Sequence, residues 1–274
     1  MSKILHFHQI QTSSHLPLVI GFFDGLHKGH LRLFQGLNKR QFNILTFINI
    51  PNKSKNLLYS DNKRIADLEQ LAPANIFLLD LQKHNLLAMT FIHRLSKNIQ
   101  PSHIIVGSDF QFGKHRHGNI SQLKEFYHVK TIKITPKYKT TNIKKYILNG
   151  NIPMANKLLF EPYTLTGVVK HGKGIGHKLG YPTANINLGN NVIQPKEGSY
   201  QAFTYINKVK YPSAVFIHNH LLETHIFHFH KDIYEKIISI QLIKYHQTMN
   251  QTNNFTSLKK IIKYKVQSIQ SQFK

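Results

Sequence analysis

Along the first half of the chain, short apolar runs alternate with segments whose apolar positions recur at helical spacing. Residues 17–20, 43–48, 75–79, 103–107 and 129–134 predict strands, and 30–38, 63–71, 86–97 and 120–127 predict helices. Repeated strand–helix alternation predicts an α/β domain with a parallel sheet covered on both faces. Such sheets take their ligands at the carboxyl ends of the strands. Beyond Glu161-Pro162-Tyr163 the texture changes. Residues 163–170, 199–207, 209–217, 222–229 and 233–245 read as antiparallel strands of a small barrel or sandwich. Leu258, Ile261, Ile262, Val266 and Ile269 then mark one face of a closing helix. The expected organisation is two domains, 1–160 and 161–274, without an internal repeat or a low-complexity linker.

Composition narrows the class. The chain has 274 residues, 41% of them hydrophobic, enough for packed cores, and a mean hydropathy of −0.30. No apolar run approaches the length of a membrane span, and the opening Met1-Ser2-Lys3-Ile4-Leu5-His6 lacks a secretory leader. A cytoplasmic location without membrane contact is expected. The absence of cysteine excludes disulfides and thiolate metal sites. Lys and Arg number 36 against 12 Asp and Glu, a net charge of +24. Two readings of that charge stand side by side: nucleic-acid binding, or a general bias towards lysine, asparagine and isoleucine. The basic residues are dispersed, without a basic tail, so nucleic acid is not the expected partner.

The first chemical feature is Gly21-Phe22-Phe23-Asp24-Gly25-Leu26-His27-Lys28-Gly29-His30, placed between a predicted strand and a predicted helix. Glycines admit a phosphate close to the backbone, and a helix N-terminus offers it free N–H groups. His27 and His30 flank Gly29, where both imidazoles can donate to phosphate oxygens. The plainer reading is a tight turn with two surface histidines. Further on come Gly107-Ser108-Asp109-Phe110-Gln111-Phe112-Gly113, a polar loop with two aromatics, and Lys139-Thr140-Thr141-Asn142-Ile143-Lys144, a hydroxyl-rich helix start.

The His-x-Gly-His element resembles the signature of the nucleotidyltransferase superfamily. With the other two motifs, in that order and spacing, it resembles the FMN adenylyltransferase half of bacterial bifunctional riboflavin kinase/FAD synthetases. The resemblance implies a Rossmann-like nucleotidyltransferase domain. It gives charge stabilisation at the α-phosphate of ATP to His27 and His30, nucleotide binding to Gly21, Phe23, Asp24, Gly25, Gly29, Thr140, Thr141 and Lys144, and flavin contacts to Asp109, Phe110 and Phe112. Three positions depart from the family's usual pattern. Gln111 and Lys144 stand in place of arginines, and no histidine follows the second strand, which reads Phe47-Ile48-Asn49-Ile50-Pro51.

The second feature is Gly167-Val168-Val169-Lys170-His171-Gly172-Lys173-Gly174-Ile175-Gly176-His177-Lys178-Leu179-Gly180-Tyr181-Pro182-Thr183-Ala184-Asn185. Its glycines can wrap a polyphosphate with backbone N–H groups. In an extended segment Thr183 and Asn185 point the same way, and both offer hard oxygen ligands suited to Mg²⁺. A glycine-rich hairpin is the simpler reading, and it leaves Pro-Thr-Ala-Asn unexplained. The segment resembles the riboflavin kinase signature, apart from His177 in place of an arginine. That resemblance implies a small antiparallel β-barrel with a closing helix, phosphate contacts from Gly172, Gly174 and Gly176, and magnesium held by Thr183 and Asn185. Leu222-Glu223-Thr224-His225-Ile226 matches the strand that carries the family's catalytic glutamate, which makes Glu223 the expected base. His225, His228 and His230 lack a fourth ligand at zinc-site spacing.

The resemblance covers residues 16–262. It implies riboflavin, FMN and ATP as ligands, Mg²⁺ as cofactor and no obligate protein partner. Also open at this point are a chain retaining one of the two activities, and a non-catalytic basic protein on the same scaffold.

Overall fold

The computed structural model describes residues 2–10, 14–37, 41–51, 56–172, 176, 180–188, 191–247 and 255–273. It divides into two compact units, residues 1–140 and 141–274.

The first unit contains β1 (Lys3–His6), β2 (Leu18–Ile20), α1 (Lys28–Leu31), β3 (Asn43–Ile48), α2 (Asp61–Glu69), β4 (Asn75–Asp80), α3 (Ala88–Asn98), β5 (Ile104–Gly107), β6 (Gln111–Phe112), β7 (Gly118–Asn119), α4 (Ile120–Lys124) and β8 (Val129–Ile132). Six strands form one sheet in the order β1-β4-β3-β2-β5-β8, every neighbouring pair parallel. β2 and β5 are buried along their whole length, as the unbroken apolar runs require of strands covered on both faces. Leu18, Ile20, Phe77, Phe91, Leu95 and Val106 share one core cluster between sheet and helices.

Two expectations change here. β1 was not foreseen: only four residues long and largely exposed at the sheet edge, it carries almost no apolar signal. The helix expected over 30–38 instead begins at Lys28, tightens to a 3-10 turn at Arg32–Phe34, and gives way to Gly36 at φ +84°. Asn38 lies outside the described residues.

The second unit is entered along α5 (Thr140–Leu148) and α6 (Ile152–Leu158) and continues through β9 (Thr164–Val168), β10 (Ala184–Asn187), β11 (Gly198–Ile206), β12 (Val209–His218), β13 (Leu221–Ile226), β14 (Ile237–Gln247) and α7 (Phe255–Ser271). Its strands run antiparallel in the order β10-β13-β12-β11-β14-β9. Lys170, just past β9, donates its backbone N–H to the Asn185 carbonyl at 2.9 Å, which draws the two edge strands into a near-closed barrel. Val266 and Ile269 of α7 pack on Ala214, Phe216 and Phe227, as the predicted apolar face requires, while the Leu258 side chain lies outside the described ones.

The compact units divide twenty residues before the expected boundary at 160. The cause is polar. Asn156 in α6 donates to the Leu242 carbonyl (2.9 Å) and accepts from the Tyr163 N–H (2.8 Å), and Lys196 N–H donates to the Ile147 carbonyl (3.3 Å). Both helices therefore pack with the barrel.

Close approach of β9 to β10 sets one strict limit. A Cβ on Gly167 would lie 2.3 Å from Ile186 Cγ2, a branched methyl with no freedom to withdraw. Gly167→Ala should cost about 1–3 kcal/mol in urea unfolding. The same change in an Ile186→Ala background should cost much less, a coupling that a double-mutant cycle measures.

Candidate active sites

β2 pairs with β3 on one side and β5 on the other, so the chain's crossovers reverse direction there. This is the switch point where open α/β sheets leave a crevice, and the loops after β2 and β5 meet in it. Gly21 donates its N–H to the Leu45 carbonyl (3.1 Å), continuing the ladder. The chain then turns through Phe23 at φ +51° and Gly25 at φ +73°. A side chain on Gly21 would strike the Phe23 ring at 2.6 Å, and one on Gly29 would strike Tyr138 Cβ at 2.7 Å. These two glycines thus serve close packing. Asp24 is 5% exposed and accepts the Leu58 N–H (2.8 Å), and its backbone carbonyl accepts the Thr140 hydroxyl (3.2 Å). Thr141 and Lys144 follow on α5, beyond the end of the first unit.

His27 caps α1: its Nδ1 accepts the His30 N–H at 3.1 Å, and the two rings stack with centroids 3.5 Å apart. An accepting Nδ1 leaves the proton on Nε2, so the ring is a neutral donor through that atom. Burial at 2% exposure pushes its pKa down to about 4. Burial, the neighbouring His27 and the Arg64 charge hold His30 well below the usual histidine range, opposed by a hydrogen bond with the Gly25 backbone. A four-residue helix brings little macrodipole, so an anion here relies on side chains and loop N–H groups.

Sequence reasoning missed Arg64, one of 36 basic residues and, at 2% exposure, a buried one. From α2 it donates to the carbonyls of Phe22 and Phe47 (3.0 Å for the latter), to the Thr46 hydroxyl (3.1 Å) and to Asp61, and it stacks on the Phe22 ring at 4.1 Å. Its position in the first turns of α2, three residues after Asp61, was the available signal.

A cavity of about 330 Å³ opens beside this loop, lined by Phe23, His30, Leu79, Phe91, Asp109, Phe110 and Phe112 among others. Phe112 is 3% exposed and packs on Phe91, so it serves the core as well as the cavity wall. Phe110 stacks on Phe112 with centroids 5.8 Å apart, and Asp109 is exposed.

In the second unit the register β10–β13 sets Asn185 directly opposite Glu223. Asn185 is 7% exposed, and its Oδ1 is buried without a hydrogen-bond partner among the described residues. Gly172 lies against this amide: a Cβ there would sit 2.4 Å from Nδ2. Gly176 packs on the next turn of chain, where its Cβ would lie 2.6 Å from the Tyr181 carbonyl oxygen and 3.0 Å from Thr183 Oγ1. Gly174 lies outside the described residues. Burial raises the Glu223 pKa above the usual carboxylate range. His225 Nδ1 lies 2.9 Å from the Pro182 carbonyl, and its ring meets Tyr181 edge-on.

A second cavity, about 380 Å³, takes in Thr183 but not Asn185 or Glu223. It is lined on its other side by residues 229–234, where Tyr234 stacks on His171 at 3.7 Å. Sequence reasoning extended a strand through 229, whereas β13 ends at Ile226 and the chain turns at His228, φ +57°. Among the described residues no three His, Asp or Glu side chains converge as a metal cluster, and no helix is long and apolar enough to cross a membrane.

Comparison with known proteins matches the FAD synthetase family over residues 9–147 and the riboflavin kinase family over residues 159–273. The bifunctional riboflavin kinase/FMN adenylyltransferase of Buchnera aphidicola subsp. Schizaphis graminum is 36% identical, the match covering 89% of this chain and 90% of that one. The chain belongs to the bifunctional riboflavin kinase/FMN adenylyltransferase family. Its counterpart in Mycoplasma pneumoniae is 30% identical over 93% of this chain and 97% of that one. A trifunctional RibF/MnmA protein of Mycoplasmoides gallisepticum is 37% identical over 92% of this chain, which spans only 39% of that protein's length. The crystal structure of a macrolide-efflux protein from Streptococcus pneumoniae aligns with a TM-score of 0.82 at 26% identity, covering 96% of this chain and 97% of that one. Both enzymatic domains of the family are present in this one chain.

The depressed His27 pKa links this family member's stability to acid. An unfolded histidine takes up its proton near pH 6.5, whereas the folded one waits until about 4. Stability conferred by the neutral ring is full above pH 6.5 and is lost as pH falls through that window. The loss amounts to roughly 3 kcal/mol at pH 4. His27→Gln should flatten this acid slope in urea titrations of the first unit, and NMR should record the His27 ring titrating near pH 4.

Proposed function

We propose that the second unit phosphorylates riboflavin at its 5′-hydroxyl with ATP, and that the first joins the resulting FMN to the AMP part of a second ATP. The observation that carries this reading is the presence, in one chain, of two distinct sites: a cavity lined by His30, Asp109 and Phe110, and the pair Asn185 and Glu223 facing one another across β10 and β13.

For the kinase step, Thr183 and Asn185 would hold magnesium. The buried, unpartnered Asn185 Oδ1 fits a hard cation, and the donor set is oxygen throughout. Bound there, Mg²⁺ neutralises phosphate charge. Gly172 lets the Asn185 amide pack directly against the backbone of the glycine loop. Glu223 orients the riboflavin hydroxyl and takes its proton as the oxygen attacks the γ-phosphorus, and ADP leaves. A carboxylate raised by burial is a stronger base than an exposed one.

For the adenylyl step, a phosphate oxygen of FMN attacks the α-phosphorus of ATP. The Pα–O–Pβ bond breaks and pyrophosphate departs. The incoming phosphate is itself the nucleophile, so no side chain needs to be one. His27 Nε2–H donates to an α-phosphate oxygen, and His30, stacked on His27, meets the charge that develops on the leaving group. The apolar wall with Phe110 suits an isoalloxazine ring.

With riboflavin, ATP and Mg²⁺, chromatography should record FMN first and FAD later. His27→Ala should reduce FAD formation at least about a hundredfold and spare FMN formation. Glu223→Gln should cut FMN formation by about a hundredfold or more, yet leave FAD formation from supplied FMN intact. If neither substitution separates the two steps, the division of labour between the units is wrong.

A further inference from the structure

We infer that Arg116 selects the phosphorylated flavin over the unphosphorylated one in the first unit's cavity, a reading that rests on adenylyl transfer at that site. Riboflavin and FMN share every apolar contact an isoalloxazine ring can make. Discrimination therefore falls to whatever meets the phosphate. Among the described residues lining the cavity, the charged side chains are Asp109 and Arg116. His30, also on the lining, is held neutral by burial. An FMN phosphate is repelled by the Asp109 carboxylate, so Arg116 is the one fixed positive charge that this lining offers it. Its planar fork suits two phosphate oxygens at once. No described carboxylate forms an ion pair with Arg116, so the guanidinium is not already neutralised within the described chain.

The backbone is built to hold this residue at the cavity. His115 and Arg116 sit at φ +57° and +60°, the left-handed region, following Gly113 at +74°. The same left-handed pairing occurs at the hairpin turns Asn207–Lys208 and Asn219–His220, so here it marks a tight β6–β7 turn that carries Arg116. The turn is clamped at its base. Lys114 N–H donates to the Leu86 carbonyl at 2.6 Å, and Leu86 is itself part of the lining. Gly113 packs so closely on α3 that a Cβ would lie 2.9 Å from Ala88 Cα. Arg116 N–H closes the turn onto the Gly113 carbonyl at 2.9 Å, and β6 and β7 pair on either side. Lys114 shares the turn but is not on the lining, which makes it a built-in control.

The test is steady-state conversion of FMN to FAD by the full chain, with lumiflavin as inhibitor, since it has the ring but neither ribityl chain nor phosphate. Arg116→Gln should raise the KM for FMN about tenfold to a hundredfold, the usual loss for a charge-assisted hydrogen bond. The KM for ATP and the Ki for lumiflavin should stay within about twofold. Arg116→Lys should restore part of the loss, and Lys114→Gln should leave the KM for FMN unchanged. A rise in the KM for ATP instead would assign the cation to the nucleotide and overturn the inference. So would a parallel rise in the lumiflavin Ki, which would mark a collapsed cavity. If the wild-type chain makes FAD and Arg116→Gln behaves like it, this assignment alone fails. If the wild-type chain makes no FAD from FMN, the adenylyl-transfer reading fails and this assignment goes with it.

Discussion

The first unit is organised around a buried guanidinium. An arginine at 2% exposure has lost its water and must find acceptors in the protein. Arg64 finds them on two loops at once, the carbonyls of Phe22 after β2 and of Phe47 at the end of β3. Adjacent parallel strands would otherwise release these loops independently at their carboxyl ends. With Phe22 tied down, Phe23 is turned into its left-handed conformation, its ring covers Gly21, and the following residues descend into the His27 cap. The same charge reaches His30, where it adds to burial in keeping that imidazole neutral. One buried cation thus ties the two loops together and adds, after burial and His27, to what keeps His30 neutral.

The second site depends on register instead. Asn185 and Glu223 face one another because Ala184–Asn187 pairs with Leu221–Ile226 in a single alignment. A slip of one residue in β10 would turn Asn185 to the opposite face and take it from Gly172. Register is held here by burial: Ile186 and Leu222 are fully buried and would be expelled by the same slip. The apolar side chains between the functional ones are what place them.

What the sequence revealed follows the strength of each physical signal. β3 was read with its true bounds, 43–48, because its run of Ile44, Leu45, Phe47 and Ile48 is rich in strand-forming residues and flanked by polar segments. α7 was legible from its stripe of Ile262, Val266 and Ile269. β1 and β10, four residues each, were not, since one is largely exposed and the other alternates with asparagine. The end of β13 was misjudged because the run 222–229 stays rich in aromatic and histidine residues, while the turn at His228 adopts positive φ without a glycine to announce it. The histidine and glycine motifs were visible as residue types at fixed spacing. Arg64 was invisible for the converse reason: burial, not identity, distinguishes it among so many lysines and arginines.

Scarcity of acid sharpens the case for the base. Of 12 carboxylates in the sequence, several are committed to partners. Asp24 accepts the Leu58 N–H, Asp61 holds Arg64, Asp67 holds Lys63, and Glu197 takes the Asn219 N–H and His218. Their oxygens already accept hydrogen bonds or ion pairs from the protein, which leaves them less free to take a substrate's proton. Glu223 has no such partner among the described residues. Burial alone acts on it, with neither cation nor donor offsetting the loss of water, and its pKa rises. In a protein carrying a net charge of +24, a half-buried carboxylate with no described cation acting on it requires a local environment of uncharged neighbours. The strand supplies it: cross-strand neighbours Asn185 and Phe216 are both uncharged. The raised pKa of Glu223, on which the proposed phosphoryl transfer would draw, is therefore a product of its two lateral neighbours as much as of the residue itself.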